Sequence, residues 1–323
     1  MLMEEINETS LEKEACCSEE KHGEKKMAPQ RFWTLVAGLL VVIFLLAAGA
    51  GTAAVYTLPV SDPLVRRLTT VFPYPIALVG KEAIRFHDLY MHWDAASRSL
   101  AQEREGNPQE DLPDVSPEEL LDVLVQQLVL RQLAQTYGLS VSSVEVTTFL
   151  EPVIADSGSD EAFWNNVHDR LGWDKETFIR QVAEPFVLGQ KTEEAVKKDS
   201  QRQAPFRQEA EAALARIRRG EDFEVVASQV NKTGEVAGSG EDFVSADVLP
   251  AEIASAAAAL EKGAVSDVVE TADAFFVLRL IDRGDPAAAP TYRLEALVVE
   301  KVGLNQVMSD ELSKARIRKW LKT

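Results

Sequence analysis

LPAEIASAAAALEKGAVSDVVET (Leu249–Thr271) and AFFVLRLIDR (Ala274–Arg283) set the class of the C-terminal part of the chain. The first opens as an Ala-rich helix that should end at Gly263, because glycine takes the left-handed conformation that closes a helix. The pieces Val265–Glu270 and Ala274–Ile281 then alternate or run apolar in the manner of strands. Just upstream, EAEAALARIRRGEDFEVVASQV reads as a helix, a turn at Gly220 and a second short helix, followed by a Gly-rich loop at Gly234–Gly240. Downstream, beyond GDPAAAP, Tyr292–Val299 is a further strand and Gln306–Leu321 a closing helix. Together these make an α+β module of about a hundred residues in a chain that is otherwise mainly α.

Working back toward the N-terminus, residues 85–198 read as all-α. Ile76–Val79 and Glu82–Ile84 form a small hairpin hinged at Gly80-Lys81. Arg85–Glu103 follows as a helix with Phe86, Leu89, Tyr90, Trp93 and Leu100 on one side. Ser116-Pro117-Glu118-Glu119 has the form of a capping box with proline at the first helical position. The helix it opens carries Leu121, Leu124, Val125, Leu128, Val129 and Ala134 at three-to-four spacing, and Gly138 closes it. A helix from Ser142 or Ser143 (VEVTTFLEPVIA) is followed by Asp160–Leu171, stopped at Gly172. A longer helix then starts from Asp174 and bends at Pro185.

Ahead of all this stands FWTLVAGLLVVIFLLAAGAGTAAV, Phe32–Val55. These 24 uncharged residues would span ~36 Å as a helix, enough for a ~30 Å hydrocarbon core. Trp33 and Tyr56 flank it, as interfacial aromatics do. A cleaved signal peptide is the rival, given the small residues of AGAGTAA. However, residues 1–31 are long and carry eight acids to five bases, unlike a short basic leader. No Cys follows, so no lipoprotein site is present, and the span is expected to be an uncleaved transmembrane helix. Lys21, Lys25, Lys26 and Arg31 precede it and only Arg66 and Arg67 closely follow, which orients the N-terminus toward the cytoplasm. The expected organisation is therefore a disordered cytoplasmic tail (1–31), a transmembrane helix (32–56), a Pro-containing, non-helical linker that holds the body off the bilayer (57–75), a helical domain (76–204) and an α+β domain with a C-terminal strand and helix (205–323).

The 323 residues carry 34 Lys plus Arg against 52 Asp plus Glu, a formal net charge of −18. Such a surface is ill suited to nucleic acid, where counterion release needs cations. Cys16 and Cys17 are the only cysteines. They are adjacent and N-terminal, so they offer neither a disulfide framework nor a zinc site.

At this point the residues resemble a known family. The order of hairpin, helix, LLDVLVQQLVLRQLAQTYGLSV and EAFWNNVHDRLGWDKETFIRQV looks like the helical chaperone domain of SurA-type folding factors. ALARIRRGEDFEVVA, LPAEIASAAAALEKGAVSDVVET and AFFVLRLIDR are similar to a parvulin, the PpiC-type peptidyl-prolyl isomerase module. The resemblance covers residues 76–323, and an N-terminal anchor resembles the membrane-tethered foldases of bacterial envelopes. It implies a site with two His behind a proline pocket, a Cys or Asp near the twisted bond, and Met and Phe gripping the ring. Here Phe276 falls at the second His position, and Leu249 and Ile253 at the Met and Phe positions. The family's opening strand, with its first His, is missing before Glu209, but Tyr292–Val299 is similar to it, with Ala296 at the His position. Two arrangements remain open: a degenerate, circularly permuted parvulin whose first strand comes last, or a tail that returns to pack on the helical domain.

The histidine inventory bears on the chemistry. His22, His87, His92 and His168 are the four, and neither His nor Cys occurs between Pro205 and Thr323. A twin-His site in the module is therefore absent, and no catalytic residue, cofactor or metal is expected. His87 and His92 lie about 140° apart on a helix and share no face for a metal. His168 with Ser157 or Ser159 lacks the strand context of a hydrolase elbow, and the loop GEVAGSGEDF lacks the Lys-Ser/Thr of a phosphate loop. The expected function is a single-pass folding factor of the cytoplasmic (inner) membrane, anchored in the lipid bilayer through Phe32–Val55, that binds unfolded or newly exported polypeptides outside it. Leu249, Ile253, Phe276 and Ala296 are its relic proline pocket, and Trp93 and Trp164 its client-contact candidates. The alternatives are an active peptidyl-prolyl isomerase and a structural scaffold of the envelope.

Overall fold

The computed structural model describes residues 29–232, 242–284 and 290–322, with side chains from residue 41 onward except residue 44. The tail 1–31 (save its last residues), the Gly234–Gly240 loop and most of GDPAAAP lie outside the described residues. The chain divides into two compact units, Met1–Ala54 and Val55–Thr323. Helix α1 runs Pro29–Thr57. Among the described residues no helix is long and apolar enough to cross a membrane. The stretch expected to do so, Phe32–Val55, is helical throughout, but its first side chains are not among those described.

The segment expected to be a non-helical linker is folded. Asp62 accepts a hydrogen bond from the Leu64 amide at 2.7 Å and caps helix α2, Pro63–Val71. Pro63 occupies the first turn, where a missing N–H costs nothing. The prolines of this stretch therefore place a helix start instead of preventing one. Val55, Val60 and Val65 are buried together with Ile76, Phe86 and Leu89 in the core of the helical domain.

Strands β1 (Pro75–Val79) and β2 (Glu82–Arg85) pair antiparallel around Gly80, whose φ of 62° suits glycine. Helices α3 (Phe86–Gly106), α4 (Pro117–Thr136), α5 (Ser143–Asp156) and α6 (Asp160–Leu171) follow. Their ends match local chemistry: Ser116 and Ser142 accept from the amides three residues on, and Gly172 closes α6 at φ 73°. The long helix expected from Asp174 is α7 (Lys175–Phe178), a π-helical turn (Ile179–Ala183) and α8 (Glu184–Lys198). The α-helical pattern is thus interrupted by a π-turn, with Pro185 in the first turn beyond it.

Helix α9 (Ser200–Arg218) is continuous through Pro205, and Asp199 caps its start. Then come α10 (Phe223–Val230), β3 (Val244–Ser245), α11 (Ala251–Ala259), β4 (Val269–Glu270), β5 (Ala274–Arg283) and β6 (Thr291–Glu300). The sheet order is β3-β6-β5-β4, all antiparallel. Phe275 and Val277 on β5, with Leu297 and Val299 on β6, pack on Ala210, Leu214, Phe223 and Val226 of α9 and α10. The other face of the sheet holds Leu280, Tyr292 and Leu294 against Ala257, Leu260 and Leu249.

After β6 the chain leaves the module. The closing helix expected over Gln306–Leu321 is shorter: α12 spans Leu304–Lys314, and the rest is strand β7, Ile317–Lys319. β7 pairs antiparallel with β1, Val79 facing Ile317, to give a three-stranded sheet β2-β1-β7. The free edge of β1 offers backbone partners that a continued helix could not use. Met308, Leu312, Ile317 and Leu321 pack against the core of the helical domain. The last twenty or so residues thus complete the first domain, not the second, and the α+β module is an insertion between α8 and α12. Of the two places left open for Tyr292–Val299, the strand takes the one beside β5 in the module's sheet and does not pack on the helices; only the chain beyond it returns to them.

Candidate peptide-binding surfaces

Three of the sequence-derived pocket residues, Phe276, Ala296 and Leu249, fall on one side of the β5–β6 ladder. Phe276 faces Val298 and Leu278 faces Ala296 across the two strands. Phe276 and Ala296 are thus diagonal neighbours on the same face, about 7–8 Å apart by sheet geometry. Leu278 is buried, whereas Phe276, Ala296 and Val298 are half-buried. Ile253 is buried on α11, and Leu249 is half-buried against Leu280 and Tyr292. The face is apolar and carries no titratable side chain at the Phe276 and Ala296 positions. It can contact an apolar ring but has no proton to give or take there.

Asn231 organises the edge of this face. Its amide nitrogen donates to the Ala296 carbonyl at 3.3 Å, and its oxygen accepts from the Val298 amide at 2.7 Å. A buried side chain thereby stands in for the backbone of a neighbouring strand. On the opposite face Arg279 donates to Glu295 at 2.6 Å and to Glu224 at 3.0 Å and lies over the Phe223 ring, tying α10 to the sheet.

The helical domain holds a second apolar surface. A cavity of about 510 Å³ is lined by Val146, Leu150 and Ile154 of α5, Trp164 of α6 and Ile179 of the π-turn, with Lys175, Glu151 and Glu184 among its polar residues. Trp164 is half-buried, donates its indole N–H to Asp160 at 3.0 Å and lies beneath the Lys175 ammonium at 4.8 Å. Elsewhere in the helical domain, Phe186 is 51 % exposed and stacks on Phe149 at 4.6 Å. Sequence reading reached Trp164 but not its companions. Their signal was available in Val146, Leu150 and Ile154, a stripe at four-residue spacing on one helix face. Trp93 is placed differently: it stacks on Tyr90 at 6.3 Å and packs on the core.

The histidines have structural settings. His92 hydrogen-bonds Gln181 at 3.2 Å and meets the Trp173 ring edge-on, and burial lowers its pKa. His87 is exposed and lines a separate cavity of about 370 Å³ with Arg66 and Asp94. His168 is exposed on α6, while Ser157 and Ser159 are the caps that end α5 and begin α6.

Two family models match the chain. The SurA-like N-terminal domain matches residues 25–192 and the PPIC-type PPIASE domain residues 190–293. Among solved structures, a foldase protein (PrsA) from Lactococcus lactis, determined at 3.10 Å, is similar at 15 % identity over 75 % of this chain and 84 % of that one, with a TM-score of 0.23. No curated protein matches. With a helical domain matched over more than half of the chain and an α+β module beside it, the chain belongs to the SurA-like N-terminal domain family and, with its parvulin-like PPIC-type domain, is a SurA-type chaperone.

Proposed function

We propose that the protein is a membrane-anchored folding factor that binds unfolded, newly exported polypeptide outside the cytoplasmic membrane, with a parvulin-like domain that does not catalyse isomerisation. The observation that carries the client-binding reading is the cavity at Trp164, whose volume falls in the range of ligand sites and whose lining combines aliphatic and aromatic side chains with the charged Glu151, Asp160, Lys175 and Glu184. Apolar client side chains would enter it, and the acidic surface of the chain would keep so apolar a feature from self-association. Binding is weak and reversible, since ordering a floppy client costs entropy.

The anchor is supported by α1. Val41, Val42, Ile43, Leu45 and Leu46 cover about 200° of the helix circumference and are each over half exposed, and Ala47 and Ala48 continue round it. A helix apolar all round belongs in a core or a bilayer. The basic residues ahead of it favour a cytoplasmic N-terminus.

The loss of catalysis is supported by Phe276 and Ala296 at the two histidine positions. The circular permutation is supported by β6, which lies in the middle of the sheet between β3 and β5 although it comes last. The PPIC-type match also stops at residue 293, just inside that strand.

The test is suppression of aggregation of a chemically denatured protein by the full chain. No suppression would overturn the reading in favour of a structural envelope scaffold. A protease-coupled assay on a proline tetrapeptide should give the buffer rate, and Phe276→His alone should not raise it. A rate clearly above buffer for the unmodified chain would make it an active peptidyl-prolyl isomerase.

A further inference from the structure

Helix α2 has a buried and an exposed side. Val65 and Thr69 are buried in the body. Leu64, Arg67 and Val71, at i, i+3 and i+7, share the outer stripe. Val71 is 71 % exposed, and Leu64 and the adjoining Phe72 about half. Arg66 is engaged, paired with Asp94 and lying 5.0 Å from the Tyr90 ring. Arg67 makes no ion pair among the described residues. Three large apolar side chains around an exposed guanidinium form an unfavourable surface toward water, but they suit a lipid headgroup layer, which takes the apolar groups below and binds the cation through phosphate.

Two further observations point to lipid. Five residues separate the end of α1 at Thr57 from Pro63, so α2 starts within about 20 Å of the end of α1 whatever path the chain takes. Within the body, the stretch that follows the apolar helix is packed: Val55 and Val60 are 1 % and 3 % exposed, and Tyr56 meets Tyr74 and Trp320 edge-on, each at 6.1 Å. Tyrosine and tryptophan rings of this kind favour the membrane–water boundary. A chain with net charge −18 is repelled by anionic lipid over most of its surface. An exposed arginine within reach of the apolar helix is therefore a local exception to the charge of the whole.

We propose that Leu64, Arg67, Val71 and Phe72 form a foot that rests in the headgroup layer of the bilayer, so that the body is seated on the membrane surface. The inference rests on α1 being the anchor. The full chain, with Cys16→Ser and Cys17→Ser and a single Val71→Cys carrying an environment-sensitive fluorophore, is reconstituted into phosphatidylcholine–phosphatidylglycerol vesicles. The expected result is emission at shorter wavelength and loss of intensity when the acyl chains are brominated. The same label at Val144→Cys, a 72 % exposed position, should show neither change. Arg67→Glu should reverse part of the Val71 shift without altering thermal unfolding. A chain that stays in the vesicles through an alkaline wash but whose Val71 label behaves like the one at Val144 overturns the foot alone. A chain released by the wash overturns the anchor and the foot together.

Discussion

The amide of Val60 donates to the carbonyl of Lys322 at 2.7 Å. This bond joins the first segment of the folded body to the last and closes the helical domain around a module inserted in its middle. The amide of Trp320 likewise donates to Ile76 at 2.9 Å, and that of Gly80 to Arg316 at 3.0 Å. The helical domain is thus built from two distant stretches of chain.

A chain ending at Ala315 should consequently lose stability in the N-terminal domain. Removing β7 leaves the β1 edge open and uncovers core contacts made by Ile317 and Leu321. The expected cost is about 3 kcal/mol. Hydrogen exchange would show it as faster exchange of the β1 and β2 amides. Unchanged β1 protection would rule out this role for the tail.

Gln203 holds the inserted module to the helices. It is 3 % exposed, donates to Val196 and Val302 carbonyls at 2.9 and 3.0 Å, and accepts from the Val302 amide at 3.0 Å. Gln203→Leu keeps much of the volume but strands these backbone groups, at a cost of about 1–3 kcal/mol. Urea unfolding of the two proteins measures it, and equal midpoints would contradict the assignment.

Trp164→Ala and Trp93→Ala should separate binding from stability. Trp164 lines the cavity, so its loss should weaken aggregation suppression by about tenfold if it contributes about 1.4 kcal/mol to client binding. Trp93 packs on Tyr90 and the core, so its loss should lower the unfolding midpoint while the folded fraction keeps its binding. The reverse pattern would place the client surface elsewhere.

Acid should loosen the junction of α5 and α8. Hydrogen bonds from the Lys191 ammonium and then from the Ser142 backbone and hydroxyl lower the Glu145 pKa from 4.5 to about 2. The folded form therefore holds the carboxylate more strongly than the unfolded one. Its contribution is complete above about 4.5 and is lost as the pH falls toward about 2. The pair is partly exposed, so the effect is screened and modest. Melting temperatures of the parent and Glu145→Gln between these pH values should converge as the pH falls. Parallel curves would show that the ion pair contributes nothing.

Much of the local structure was legible because it depends on neighbours in the chain. Ser116, Ser142 and Gly172 mark helix ends by bonds that span three or four residues, and the Gly80 hairpin needs only its own turn. The misread elements depended on partners far away. Ile317–Lys319 has a pattern compatible with a helix and becomes a strand because β1 has a vacant edge. Residues 57–75 are rich in proline but fold because Val60 and Val65 have a core to enter. The pocket positions rest on resemblance, since nothing local distinguishes Phe276 from any other strand residue. The Trp164 cavity required three helices to be placed around one another.

Composition and spacing alone establish an apolar helix near the N-terminus, an α-helical region, an α+β module after it and the absence of histidine from that module. These depend on short-range periodicity and on which atoms are present. Which domain the C-terminal residues complete, where β6 inserts in its sheet, and which apolar side chains stay accessible were settled by packing. Hydrogen-bonding edges and apolar faces find partners by position in space, and separation along the chain does not encode that position.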